Sequence, residues 1–369
     1  MSAITPAAQK LRDFYEMKPN APLVQEEFGF YVLDRWKREG HISDSTDLGA
    51  LFGYDGPAKH GLGRLGWCEA AFEPGFTEEV LEDRGAHELV RDWAGRHVLY
   101  FKNRRNGFMP EYVDHPVKDW ATWEKDVKWR LDPSSPARYA DLDKRMEYAK
   151  ARAAEGQIVS QGLIGGYMYL RSLVGPEGAL YMFYDEPELI HDMMKSWFEL
   201  ADAVIAKHQA HIALDELFMA EDICYNGGSL ISPDMMREFL FPYYQELIKN
   251  VKRRQLDNRH MYLQIDTDGD CRGVIPVYGE LGMDMMSPFE VAAGCDVVEI
   301  RKQYPELRMR GGVDKRILAE SKDAIDREVE RIMPFMREKG GFIPTCDHGV
   351  PEEVSFENYM HYRNRMSEF

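Results

Sequence analysis

The sequence predicts an α/β chain folded as a (β/α)8 TIM barrel with an N-terminal elaboration. Two patterns and one quantity predict it. From about residue 155 onward, short apolar runs alternate with amphipathic helical stretches, the signature of βα units around a parallel sheet. Five of those runs are followed by polar, often Gly-rich segments, where the loops of a barrel converge on a site. The length of 369 residues supplies ample material for one large core. We read 1–369 as a single domain. Residues 1–150 supply the elaboration and the first barrel elements, and 151–369 the main βα units.

The elements follow in order. Phe28–Leu33 and His97–Phe101 are early strand candidates. The main strands are expected at Gln157–Leu163, Asp215–Ala220, Met261–Ile265, Met283–Met286, Leu307–Arg310 and Gly341–Thr345. A helix is expected after Pro187, with Leu189, Met193, Trp197, Leu200 and Val204 on one face. Ser232-Pro233-Asp234 and Ser321 are capping signals for two more, with kinks expected at Pro242 and Pro334. Asp296–Ile300 reads as helix, and Gly340-Gly341 as a helix stop.

Charge and cysteine usage exclude several classes of function. Asp and Glu total 63 against 46 Lys and Arg, a net charge of −17. Nucleic acid and anionic membranes repel such a chain, so neither is expected as a partner. No apolar run reaches the roughly 20 residues needed to span a bilayer. Met1–Pro6 carries no basic region followed by an apolar stretch, so no secretory signal is expected. The five cysteines are scattered and never form a C-x-x-C pair. A disulfide framework is therefore not expected, and a cytoplasmic location is.

Chemistry concentrates in the segments after the strands. Asp266-Thr-Asp268-Gly269-Asp270 places three carboxylates in five residues, which repel unless a cation, an Arg or shared protons relieve them. An EF-hand loop would need Gly where Cys271 stands. A strand ending in D-x-D-G also resembles the nucleophile motif of the haloacid dehalogenases, but the acidic G-D-x-x-x-D pair of that family is missing. The plain alternative is a solvated acidic turn. His348, in Cys346-Asp-His-Gly, follows a strand and precedes Gly, so its ring can face a ligand. The Cys346 thiol lies two residues earlier; a buried free thiol is ordinarily just a small apolar group. Glu221 and Asp222 end another strand, and alternation would send one to the mouth and the other into the wall. Glu290 follows Ser287-Pro-Phe. Gly311-Gly-Val-Asp314-Lys315-Arg316 is either an anion nest or a turn closed by Asp314 and Arg316. Tyr167 lines the pocket or the core.

These segments carry a resemblance. Leu230-Ile-Ser-Pro-Asp-Met-Met-Arg-Glu-Phe-Leu-Phe-Pro-Tyr-Tyr, Gly311-Gly-Val-Asp-Lys-Arg-Ile-Leu, and Gly340-Gly-Phe-Ile-Pro-Thr-Cys-Asp-His-Gly-Val-Pro with Asn358 downstream resemble the uroporphyrinogen decarboxylase superfamily, which includes cobalamin methyltransferases. Pro110-Glu-Tyr-Val-Asp-His-Pro resembles its uncharacterised bacterial branch. The resemblance implies a uroporphyrinogen decarboxylase-like barrel, often dimeric, with its site at the strand ends. The sequence also departs from the family. Pro22-Leu-Val-Gln-Glu-Glu-Phe-Gly-Phe lacks the arginines that grip propionates, so uroporphyrinogen itself is not the expected substrate. Where the zinc methyltransferases carry H-x-C and a late Cys-Gly, this chain has Asp266-x-Asp268 and His348-Gly349.

The resulting expectation is a metal-dependent methyltransferase for a small methylated compound, with a separate corrinoid protein as methyl acceptor. A divalent metal, zinc in the first instance, would sit on Glu221, Asp266, Asp268, His348 and Cys346. His348, Asp266 and Glu290 would be catalytic, and Tyr167, Asp314 and Lys315 would bind substrate. The alternatives are a decarboxylase or other lyase of a small carboxylic acid, and a non-catalytic barrel binding a small molecule or a corrinoid protein. A homodimer is expected.

Overall fold

The computed structural model describes residues 3–102 and 110–369; Met1 and Ser2, part of the segment Met1–Pro6 considered above, lie outside the described residues. The strands, in chain order, are β1 (Lys59–Gly61), β2 (Glu79–Arg84), β3 (His87–Arg91), β4 (His97–Phe101), β5 (Glu111–Asp114), β6 (Ile158–Ile164) and β7 (Glu216–Ala220). There follow β8 (Cys224–Tyr225), β9 (Gly228–Ser229), β10 (Tyr262–Asp266), β11 (Met285–Ser287), β12 (Arg308–Arg310) and β13 (Phe342–Ile343). Seven form one curled parallel sheet in the order β1-β6-β7-β10-β11-β12-β13. All six main strands expected from the sequence are present, with ends shifted by one or two residues.

The eighth place is filled differently. Phe28–Leu33 is not a ladder strand: Phe30 makes a single parallel bridge to Val350, and Leu33 already begins a helix, Leu33–Arg38. The chain over residues 25–29 still runs through the gap. Asp55 N–H donates to the Gln25 carbonyl at 2.8 Å on one side, and Val350 N–H to the Gly29 carbonyl at 2.9 Å on the other.

His97–Phe101 is a strand but not a barrel strand. It lies in a separate antiparallel sheet, β2-β3-β4-β5. The reason is the connection: β3 and β4 are joined by a short turn in which Gly95 N–H donates to the Asp92 carbonyl at 2.9 Å. A parallel neighbour needs a crossover of about a dozen residues.

The helices follow their caps. Pro187–Gln209 runs longer than its sequence stripe, burying Leu189, Met193, Trp197, Leu200 and Val204. Ser232 Oγ accepts from Met235 N–H and Ser321 Oγ from Ala324 N–H, both at 3.2 Å. Ahead of Pro242 the chain makes a π-helical turn, Met236–Leu240, and then enters the helix Phe241–Arg253; Pro lacks the N–H that would continue the α-helical ladder. Lys322–Lys339 instead continues through Pro334 and stops at Gly340, whose φ of 70° suits glycine. Asp296 caps the helix Val297–Gln303. No helix among the described residues is long and apolar enough to cross a membrane.

Two layers of packing surround the sheet. Residues such as Leu217, Met219, Leu263 and Ile265 face the helices and are buried. The alternate residues face the lumen, which is polar. Near the amino ends of the strands, Glu216 is fully buried. It accepts from Lys59 Nζ at 2.9 Å, from Ser160 Oγ at 2.6 Å and from the Tyr15 hydroxyl of the helix Pro6–Tyr15. Register then sets Asp266 between Ala220 and Ser287, at the carboxyl edge.

Candidate active site

A cavity of about 460 Å3 opens at that carboxyl edge. Asp266, Asp268, His348 and Arg310 supply its polar groups; Phe28, Phe30, Tyr31, Trp67, Phe218 and Pro288 supply its walls. Three of the expected site residues therefore meet here. Asp266 ends β10 with its side chain on the lumen face, in line with Gln264 two residues below. Ser287 donates to Asp266 Oδ2 at 2.8 Å, and Gln264 Nε2 donates to Ser287 Oγ at 2.9 Å, so a short relay orients the carboxyl. Burial raises its pKa to about 7, with the Asp268 carboxylate adding to the rise; the Ser287 hydrogen bond and the Arg310 charge act in the opposite direction.

Asp268 stands further out. Burial and the neighbouring carboxylates Asp222 and Glu290 raise its pKa to about 6, while His348 and Lys315 oppose the rise. His348 Nε2 lies 3.8 Å from Asp268 Oδ2, and Nδ1 lies 3.2 Å from the Tyr31 hydroxyl. The Tyr31 and His348 rings are parallel within 10°, which holds the imidazole at the rim.

The other expected residues are placed elsewhere. Glu221 is fully buried behind the cavity. Its oxygens accept from the Tyr244 hydroxyl at 2.8 Å and from Tyr167 N–H at 3.0 Å. Alternation holds, but with the roles reversed from the expected choice: Glu221 shares the helix-facing side of Leu217 and Met219, and the chain then turns, with Asp222 at φ 42° and the Glu221 and Asp222 amides both donating to the Asp266 carbonyl, at 2.9 and 3.0 Å. Asp222, held by Arg171, is thereby the member of the pair beside Asp268. A left-handed non-glycine costs on the order of 1 kcal/mol, and this ion pair and the shared carbonyl hold it.

Cys346 is likewise turned into the wall: its amide donates to Glu27 Oε1 at 2.9 Å, and burial drives its thiol pKa well above the usual value. Tyr167 is fully buried and does not line the cavity. Asp314 closes its own turn, accepting from Arg316 N–H and from Arg316 Nε, both at 2.9 Å, while the Gly311 and Val313 amides donate to the Ile343 and Thr345 carbonyls. Glu290 Oε2 accepts from Gly269 N–H at 2.9 Å and so positions the Asp268 loop. Lys315 Nζ stands 3.7 Å from Glu290 and 3.6 Å from Asp347, bridging two loops.

These commitments bear on the metal. Among the described residues, no three His, Cys, Asp or Glu side chains are grouped to hold an ion. The five expected ligands do not fit one as a set, because Glu221 and Cys346 are engaged in the wall.

Two groups of cavity residues escaped the sequence. Arg310 ends β12 on the lumen face, flanking the buried Met309 opposite a second arginine, Arg308; a charge at the carboxyl end of an expected strand was the available signal. Trp67 comes from the irregular N-terminal part, where nothing in the pattern marked it; Phe28 and Tyr31 lay in the strand candidate Phe28–Leu33 without being marked as cavity residues.

The comparisons agree with this architecture. The family model described as "Uroporphyrinogen decarboxylase (URO-D)" matches residues 112–369. A uroporphyrinogen decarboxylase from Alkalilimnicola ehrlichii is 25% identical over 262 residues, 66% of this chain and 65% of that protein. One from Prochlorococcus marinus is 28% identical over 180 residues, 47% of each. The matches thus span less than two thirds of either relative. A solved methyltransferase from Methanosarcina mazei is similar over 98% of both chains, with a TM-score of 0.59 and 14% identity, which is likeness of fold. A barrel with its polar groups at the carboxyl edge and a family match over most of its length lead to one assignment: the chain belongs to the uroporphyrinogen decarboxylase family.

Proposed function

We propose that the chain is a lyase that exchanges a carboxylate for a proton on a small unsaturated carboxylic acid. The observation that carries this is Asp266, a carboxyl held at about pKa 7 on a cavity floor and oriented by Ser287. Such a group is present in both protonation states near neutral pH, which suits general acid–base work.

Neutral Asp266 delivers its proton to the carbon bearing the carboxylate. The positive charge that develops on the substrate faces Asp268 and the newly formed Asp266 carboxylate. The carbon–carboxylate bond then breaks, its electron pair returns to the carbon framework, and CO2 leaves. His348, beside Asp268 and in contact with Tyr31, returns a proton from solvent. Hydrogen replaces the carboxylate, and one proton is consumed.

The test uses purified protein in D2O with a panel of aromatic and unsaturated carboxylic acids, without corrinoid or thiol. CO2 release with deuterium at the vacated carbon is the expected result, lost in Asp266→Asn. Absence of CO2 from every acid, with methyl transfer appearing once a corrinoid protein is added, would overturn it in favour of the methyltransferase expectation.

A further inference from the structure

The cavity is built around two features that acid–base chemistry does not require. One is its aromatic wall. Trp67 stacks on Phe218 with centroids 5.2 Å apart and planes within 17°, yet Trp67 remains 56% exposed. A large indole left uncovered on a cavity wall offers a flat face to a flat partner.

The other is Arg310. Its guanidinium lies over the Phe28 ring at 4.0 Å, which sets its plane. Nε is ion-paired with Glu26 Oε1 at 2.6 Å. Among the described residues, no hydrogen bond engages its two terminal nitrogens. Arg316, six residues on, instead spends Nε and Nη2 on Asp314. Arg310 also borders a second cavity of about 520 Å3, to which Glu26 belongs, so Glu26 holds the Nε edge from that side. A planar cation with two unspent N–H pairs matches a carboxylate in bidentate fashion.

From this pairing we infer, building on the lyase proposal above, that the substrate is a planar aromatic or heteroaromatic carboxylate, its ring on Trp67 and its anionic group on Arg310. The cavity volume lies within the range of about 300–1,000 Å3 usual for small-molecule sites. The same pose brings the ring carbon within the chamber that Asp266 floors. The wall selects for flatness and the fork for charge.

Calorimetric titration tests this with three probes: benzoate, its neutral isostere benzamide, and the non-planar cyclohexanecarboxylate. Wild-type protein is expected to bind benzoate roughly ten-fold tighter than either of the others. Arg310→Gln should reduce benzoate to the level of benzamide. Trp67→Ala should reduce it to the level of cyclohexanecarboxylate. Arg310→Lys keeps the charge and loses the fork, so it is expected to weaken benzoate even if Arg310→Gln does not fold. Benzoate binding no tighter than benzamide or cyclohexanecarboxylate, or unchanged in Trp67→Ala or in Arg310→Lys, would overturn the inference. Binding is read without turnover. Benzoate bound as expected while no acid releases CO2 defeats only the lyase proposal. CO2 released from an aliphatic acid by a protein blind to benzoate defeats only this one.

Discussion

Asp266 and Glu221 both have their pKa raised to about 7, and they stand at the ends of adjacent strands. Asp266 faces the cavity; Glu221, one strand away, faces the wall. Burial is the first cause in both. What separates them is what each touches. Glu221 is engaged on both oxygens, by the Tyr244 hydroxyl on each and by the Tyr167 amide on Oε1. Asp266 has a hydroxyl, from Ser287, on Oδ2 and open space in front. A shifted pKa therefore does not identify a catalytic group here; the shift combined with access does. The Tyr244 hydroxyl also accepts from Gly166 N–H at 2.6 Å, so Glu221 anchors the start of the helix Gly166–Val174 through an intermediary.

The comparison breaks most sharply on activity. Asp266→Asn keeps the shape and an acceptor for Ser287 but removes the titrating proton. Deuterium exchange or CO2 release should fall by about 10²–10⁴-fold, the usual contribution of a positioned acid or base, while the urea midpoint changes little. A rate within three-fold of wild type would mean that Asp266 is as inert as Glu221.

Glu221 should show the opposite profile. Glu221→Ala leaves the Tyr244 hydroxyl and Tyr167 amide buried without their acceptor, a loss of about 2–4 kcal/mol in urea unfolding. Glu221→Gln isolates the titration. A carboxyl whose folded pKa is raised binds its proton more tightly in the folded state, so its contribution is fully present below the ordinary value of 4.5. It is lost as pH rises through about 7. Unfolding followed from pH 4 to 8 should show stability falling by about 3 kcal/mol less in Glu221→Gln than in wild type. Equal slopes would place the pH dependence elsewhere. Glu27, buried behind Cys346 and likewise raised to about 7, is the first alternative.

How much of this was legible follows from what each residue answers to. The strand ends were readable because an apolar run followed by Gly and Asp is a local signal, and Asp266, Asp268 and His348 came with it. Lys59–Gly61 was not, since three residues without an apolar pattern become a strand only by pairing with Ile158–Ser160. The Glu221–Asp222 choice was readable from parity, since Glu221 falls on the face of Leu217 and Met219, whereas the left-handed φ of Asp222, held by the Asp266 carbonyl, was not. Arg310 and Glu216 lay inside expected strands, and what stayed hidden was that register turns both onto the polar lumen.

The smallest expected effect sharpens the rim instead of the floor. Tyr31 touches His348 in two ways, through its hydroxyl at Nδ1 and through the parallel rings. Tyr31→Phe removes the first and keeps the second. If His348 only returns protons from solvent, the imidazole needs orientation more than it needs that one hydrogen bond. A neutral hydrogen bond at a partly exposed site contributes about 0.5–1.5 kcal/mol, so the rate should fall by about two- to ten-fold with the urea midpoint unchanged. Tyr31→Ala removes the ring as well and should cost more than Tyr31→Phe. The order of the two variants, measured by deuterium exchange, is the discriminating quantity. Equal losses would mean that the hydroxyl carries the whole contribution and that Tyr31 shares the proton path with His348.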